Sequence, residues 1–434
     1  MGSSPKLLGL YALTVVSGIA ATTVVSANDW PHWRGPNRDG TVAESSGWDE
    51  GVWDNLEPAW EARVGEGSSS PLIVGDRIYV IGWADGRERL ECLDAETGEA
   101  VWRRDYEAPR YGRQALGDQG LYSGTTATPE YDPQSGLLFT LGIDGDLRCW
   151  DTGNEGVMVW AKNLYDSYEI PQRPKVGRSG RRDYGFTTAP LVQGDALIVE
   201  VGAATGTLIG FEKSTGRERW RSRANHPPGH TGGVVPLRVG GAPCVAVLHF
   251  EGLLVARVDE GREGETVCEI PWLTEFANNV VTPAAWDDNV IVTSSYNQQR
   301  IARYRLKLDG RVEQVWERKE ASKVCSPVID GDHLYWAWRQ VHCLDLRTGE
   351  TRWQGGPMGD AGSLVLTADR RLVLWANQGD LRLLETAARS PDRYRMLAEI
   401  KTEGRADAWP HLALASGRLV CKDRSGRIRC FRLD

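Results

Sequence analysis

The chain has 434 residues, 41% hydrophobic and 25% charged, the make-up of an ordinary globular protein with ample length for a buried core. A net charge of -8 argues against a general nucleic-acid surface, so no nucleic-acid partner is expected. Forty-nine Gly and 18 Trp are both high counts and point to frequent turns and a recurrent indole.

Residues 1–27 read as a targeting segment. Lys6 precedes an apolar run over residues 7–25, and Val25-Ser26-Ala27 supplies small residues ahead of a cleavage expected after Ala27. An uncleaved anchor is the rival, because the run is nearly long enough to span a bilayer. No other stretch approaches membrane length, so no transmembrane span is expected after cleavage, and the location is expected to be periplasmic or secreted. Residues 28–56 form a leader rich in Trp, Pro and Gly, too irregular for a helix or an inner strand. Its Trp30 and Trp33 need burial, for which the outside of the following domain is the expected place. A ligand-stacking role is the sharper alternative.

From residue 57 to 434 the chain repeats itself. Asp94-x-x-Thr97-Gly98-x-x-x-Trp102 recurs as Asp345-x-x-Thr348-Gly349-x-x-x-Trp353 and as Glu212-x-x-Thr215-Gly216-x-x-x-Trp220. The acid can accept bonds from the amides of its own turn, while Thr-Gly supplies a hydroxyl and a positive φ. The Trp then lies on the next strand as a plate for a neighbouring unit. Degenerate copies run from Asp151 to Trp160, Asp259 to Trp272, Asp309 to Trp316, and Glu385 to Tyr394.

Within each unit, short strands alternate with Gly turns, as in residues 69–74, 76–81, 90–93 and 100–102. Self-similarity of this period with four strands per unit predicts an all-β fold, an eight-bladed β-propeller of four-stranded antiparallel blades. The last unit reaches its acid at Asp434, and a strand with its own Trp60 stands alone near the start. Residues 58–64 are therefore expected to complete the last blade and close the ring, beside inner strands at 409–414, 417–422 and 427–433.

Eight Cys in an exported chain raise the question of disulfides. Cys92, Cys149, Cys343 and Cys430 fall in one slot of four units, which fits small core fillers. A hairpin centred on Ser425-Gly426 would pair Cys421 with Cys430 and permit a cross-strand disulfide, with two free thiols the favoured reading. No Cys-x-x-Cys occurs, so zinc and c-type haem lack their signatures.

The Asp-x-x-Thr-Gly-x-x-x-Trp motif resembles that of the pyrroloquinoline quinone (PQQ) repeat family of eight-bladed propellers, over nearly all of the chain after the leader. The leader, with its Trp30-Pro31-x-Trp33-Arg34-Gly35-Pro36 core, is similar to the start of secreted PQQ-like propellers of planctomycete-type bacteria. The family holds quinoprotein alcohol dehydrogenases and the BamB scaffold of outer-membrane protein assembly. The resemblance to the dehydrogenases implies PQQ with calcium, but their adjacent Cys pair is missing here, so the sequence lends that cofactor no support. The resemblance to BamB lacks the lipidated Cys. A shared fold does not transfer a function.

Two inter-blade connections, 103–124 and 161–185, are unusually long and should project from the face opposite the Thr97-Gly98 turn. They carry Arg110, Tyr111, Arg113, Arg178, Arg181, Arg182 and Tyr184, the candidate ligand or partner face. Solvated loop charges are the plainer reading of the same residues. The excess positive charge suits an acidic protein or an anionic ligand, and the aromatic residues suit a saccharide. His226-Pro227-Pro228-Gly229-His230 cannot be presented on a helix and is read as no metal site. Asp144-Gly145-Asp146 and Asp330-Gly331-Asp332 lack further oxygen ligands and are read as turns. No catalytic grouping can be placed. The expectation is an exported, non-catalytic binding or scaffold module of the cell envelope, with a PQQ-dependent oxidoreductase and a polysaccharide-binding propeller as the alternatives. The sequence leaves the oligomeric state open.

Overall fold

The computed structural model describes residues 1–2, 29–117, 124–177, 180–275, 278–296, 298–404 and 406–434. The apolar segment before the leader, Tyr122 and the candidate Arg178 lie outside the described residues.

Eight four-stranded antiparallel sheets form the ring of a propeller. Blade one is the meander Leu72–Val74, Arg77–Ala84, Arg87–Asp94 and Ala100–Glu107. Six more blades follow in chain order, with innermost strands Glu130–Asp132, Leu191–Gln193, Val235–Val239, Ala284–Trp286, Val328–Asp330 and Ala361–Leu366. The eighth takes Ala413–Ala415, Arg418–Lys422 and Arg427–Arg432 from the end of the chain and its outer strand, Pro58–Arg63, from the beginning. Trp60 stands opposite Cys430 there. The closure read from the two half-units is therefore the one adopted, and it pairs edges that a seven-bladed arrangement would leave open.

The repeat motif does in the structure what its residue types require. Asp94 Oδ1 accepts the amides of Glu96 and Thr97, both at 3.0 Å, and Gly98 has φ +73°. Asp345 accepts from Arg347 and Thr348 in the same way, with Gly349 at φ +71°. The next strand opens with a β-bulge in every blade, and the residue after the bulge is the repeat Trp in six of them: 60, 102, 160, 220, 316 and 353. A bulge re-aims the side chain that follows it, which turns the indole toward the neighbouring blade.

Two units differ from the sequence reading. In blade four Cys268 holds the Trp slot, opposite Val255, and Trp272 lies just beyond the outer strand Thr266–Pro271. In blade seven Ala398 holds it, opposite Leu383, and Tyr394 precedes the outer strand Met396–Lys401. An aromatic residue downstream of the turn acid was matched to the slot in each case, but loops of different length put these two outside the ladder.

The cysteine register is also corrected. Val420, not Cys421, faces Cys430, and Cys421 faces Arg429. The turn holds an odd number of residues, because Asp423 closes it by accepting the amides of Ser425 and Arg427. A one-residue slip sends alternate side chains to opposite faces, so the two sulfurs point apart. All eight cysteines are buried and free.

The leader is the other correction. It crosses the face that carries the turns between first and second strands: Asp29 accepts the Gly75 amide, Ser46 bonds Asp369, and Glu44 accepts from Gly417. Its tryptophans do not pack outside the ring. Trp30 is fully buried beside His411, and Trp33 reaches the axis, donating to Thr282 Oγ1 at 3.1 Å and meeting His411 edge-on at 5.4 Å. Thr282 and His411 belong to blades five and eight, three apart around the ring, and Trp33 spans between them to plug the channel. Gly232 and Gly233 of blade four leave it room, since a Cβ at either would stand 2.4 Å from the indole.

Candidate binding site at the inter-blade face

With Trp33 as its floor, the channel becomes a cup of about 540 Å³ open at the inter-blade face. Such a volume lies within the roughly 300–1,000 Å³ usual for small-molecule sites. Each blade contributes from the start of its innermost strand. Ser68, Thr126 and Thr187 bring hydroxyls from blades one to three, and Trp409 comes from blade eight. His411, beneath the floor, is held neutral at neutral pH: burial lowers its pKa to about 3. Behind the wall Lys422 is completely buried and donates to the Gly67 carbonyl, and burial lowers its pKa to about 7.

Two ion pairs line the side formed by blades six to eight. Lys323 holds Asp360 at 2.5 Å, and Arg424 holds Asp407 at 3.0 Å. Both cations also lie over the Trp409 ring, at 5.7 and 4.7 Å. Among the described residues, the Trp409 indole N–H and Asn278 Oδ1 are buried without a hydrogen-bond partner, and both residues line the cup. An unmet buried donor and an unmet buried acceptor are costly. A second recess of about 370 Å³ shares Tyr296, Lys323 and Asp360 with the cup and adds Trp338, over which Arg339 lies at 4.4 Å.

The six described candidate residues do not gather in one place. Arg182 and Tyr184 line the cup, with Tyr184 edge-on to His230 at 4.8 Å. Arg181 is exposed and donates to Gln172 at 2.8 Å. Arg110, Tyr111 and Arg113 lie on the other long connection, where Arg110 stacks near Trp83 and Arg113 pairs with Asp166 of the second connection. The two connections are laced together: the Leu116 and Gly117 amides donate to the Asp183 carbonyl, and Gln114 donates to the Ile170 carbonyl. Arg173, also on the second connection, is buried. It pairs with Asp183 and donates to the carbonyls of Pro228, Gly185 and Gly229. Sequence reasoning missed Lys323, Asp360, Asp407, Trp409 and Arg424 because their connections are short. The one available signal was Trp409, a Trp outside the repeat slot.

Comparison with known proteins gives these features a family. A PQQ-repeat profile described as outer membrane protein assembly factor BamB matches residues 87–355. The chain belongs to that family. Outer membrane protein assembly factor BamB of Burkholderia pseudomallei is 27% identical over 398 residues, covering 87% of this chain and 88% of its own. BamB of Yersinia pestis is 21% identical and covers 98% of each. The dehydrogenase subunit of a quinone-type alcohol dehydrogenase from Acetobacter aceti is 30% identical over 158 residues, 35% of this chain and 19% of its own. The crystal structure of BamB from Moraxella catarrhalis superposes with a TM-score of 0.58 at 14% identity, covering 87% of this chain and all of that one, which supports the fold.

PQQ is a planar tricarboxylate, and Trp33 and Trp409 would offer it plates. The charges of Lys323 and Arg424 are already met by Asp360 and Asp407. Among the described residues no three carboxylate, imidazole or thiol groups converge to hold a metal ion such as calcium. That donor set does not fit a calcium-bound tricarboxylate.

Proposed function

We propose that this protein is an exported scaffold of the cell envelope that holds partner proteins during outer-membrane protein assembly. The observation that carries this reading is alignment with two BamB proteins over most or nearly all of both chains, at 27% and 21% identity. The sequence of residues 1–27 supports export. Among the described residues no helix is long and apolar enough to cross a membrane. The laced connections supply a docking surface on a rigid ring, with Arg110 and Arg181 exposed on it, and they favour an acidic partner surface. The test is expression in a bacterium lacking its own BamB. Restored outer-membrane protein levels support the scaffold. Export without restoration, and no binding of the purified protein to the assembly machinery, would remove it.

A quinoprotein oxidoreductase is the second reading, favoured by the 158-residue match to the Acetobacter aceti subunit. Titration with PQQ and calcium, followed by dye reduction with alcohol and sugar substrates, separates it from the scaffold.

A further inference from the structure

We propose that the plugged channel is a binding site for a neutral oligosaccharide, one sugar ring lodged in the cup and the chain running out over Trp338. This goes beyond the scaffold reading and does not depend on it. Three observations carry it.

The first is the plates. Trp33, Trp409, Tyr184 and Tyr296 are each half-buried and line one cup. Sugar rings carry an apolar C–H face beside equatorial hydroxyls, and that face packs on aromatic rings. Aromatic residues that expose one face and anchor the other suit ligands of this mixed character.

The second is charge. Lys323 and Arg424 are already engaged by Asp360 and Asp407, and both cations also lie over Trp409, so a charged ligand would compete with these pairs. A neutral polyol breaks neither. In the Lys323–Asp360 pair the carboxylate keeps lone pairs and the ammonium keeps N–H groups, so an acceptor stands beside a donor, the pattern that two neighbouring hydroxyls match. Asn278 and Trp409 add polar and aromatic lining from blades five and eight.

The third is shape. Trp33 lines the cup, and a recess lined by Trp338 and Arg339 adjoins it, with Tyr296, Lys323 and Asp360 lining both. A site for a single small molecule has no use for the extension, while a linear oligomer needs a second plate at its far end.

The test is calorimetry and tryptophan fluorescence of the full chain against neutral linear pentasaccharides: cellopentaose, laminaripentaose, maltopentaose and mannopentaose. At least one should bind, more tightly than its disaccharide, with a Kd that changes less than about twofold between roughly 0.05 and 0.5 M salt. Trp409→Ala should weaken it by about tenfold or more, the loss of one well-used plate. Trp338→Ala should weaken the pentasaccharide and leave the disaccharide unchanged, which keeps the proposal testable should Trp409→Ala fail to fold. Silence of all four sugars at about 10 mM, far weaker than specific recognition, would overturn it. So would a salt-sensitive site, binding of a dipeptide or of PQQ in their place, or sugar binding that both variants retain. None of these outcomes bears on restoration of outer-membrane assembly, so the two readings fail separately.

Discussion

Trp160 of blade two packs over Gly216 of blade three, and its indole N–H donates to the Lys213 carbonyl of the same turn at 2.9 Å. Trp60 meets Gly98 and Ala95 in this manner, and Trp316 meets Gly349 and Leu346. The motif is thus a contact between blades, with the Trp of one unit reading the Thr-Gly turn of the next. A β-carbon at Gly216 would lie 2.7 Å from the indole, at a φ of +69°. Gly216→Ala should therefore combine left-handed strain with overpacking and cost about 2–4 kcal/mol. Gly75→Ala is the control: its φ is +57° and nothing lies within 4 Å, so only the backbone cost of about 1–2 kcal/mol remains. Urea unfolding midpoints compare the two, and equal losses would mean that the Trp–Gly contact contributes nothing.

Ring closure was legible because the repeat keeps its own count: Trp60 had no turn before it and Asp434 no strand after it. The bulge slot was legible where a Trp fills it and not where Cys268 or Ala398 does, since a small residue leaves no mark in sequence. The leader's destination was not legible. Nothing local distinguishes a Trp that packs outside a ring from one that enters its channel, and Gly232 and Gly233 make room for it from two hundred residues away. The site was half read for a related reason. Long connections reveal themselves by length, which brought Arg182 and Tyr184 into view, whereas Lys323, Asp360 and Arg424 meet only when eight blades close.

The leader is fastened through Glu130, which is buried, pairs with Arg38, bonds His32 at 3.2 Å and accepts the Val192 amide of the next blade at 2.8 Å. Burial alone would push this carboxyl up, but the charges and hydrogen bonds of Arg38 and His32 outweigh it and take its pKa down to about 2. A depressed carboxylate stabilises the fold above its unfolded pKa, near 4.5, and that contribution drains away as pH falls toward 2. The leader should loosen across that window. Limited proteolysis and tryptophan fluorescence from neutral to acid pH would show it as a step. Glu130→Gln should loosen the leader already at neutral pH and remove the step. An unchanged acid profile in the variant would place the titration elsewhere.

Cys421 and Cys430 sit on neighbouring strands but point to opposite faces, and every other cysteine is also buried and free. Intact mass should therefore be identical with and without reductant. The thiols should stay silent to an alkylating reagent in the folded state, because burial raises them, Cys430 to about 12. Denaturation should release all 8. A two-dalton gain on reduction would contradict the register.

Arg173 separates structural charge from surface charge in the second long connection. Its guanidinium is 3% exposed, pairs with Asp183 and donates to three carbonyls, tying residues 161–185 to the loop that leads into blade four. Arg173→Ala leaves Asp183 buried without its cation and the Pro228, Gly185 and Gly229 carbonyls without this donor. Removing one partner of such a pair costs about 3–5 kcal/mol. Arg181, exposed and donating to Gln172, should change stability by less than about 1 kcal/mol on the same substitution. Replacing both buried partners, Arg173→Met with Asp183→Leu, should recover part of the loss, since no lone charge remains inside. Recovery stays partial because Asp183 also accepts the Gly185 amide at 3.0 Å, and that donor would be left unmet. Melting temperatures of the three variants decide the matter: a tolerant Arg173→Ala would mean that the connection holds its shape without the arginine, through the backbone bonds from Leu116 and Gly117 to Asp183.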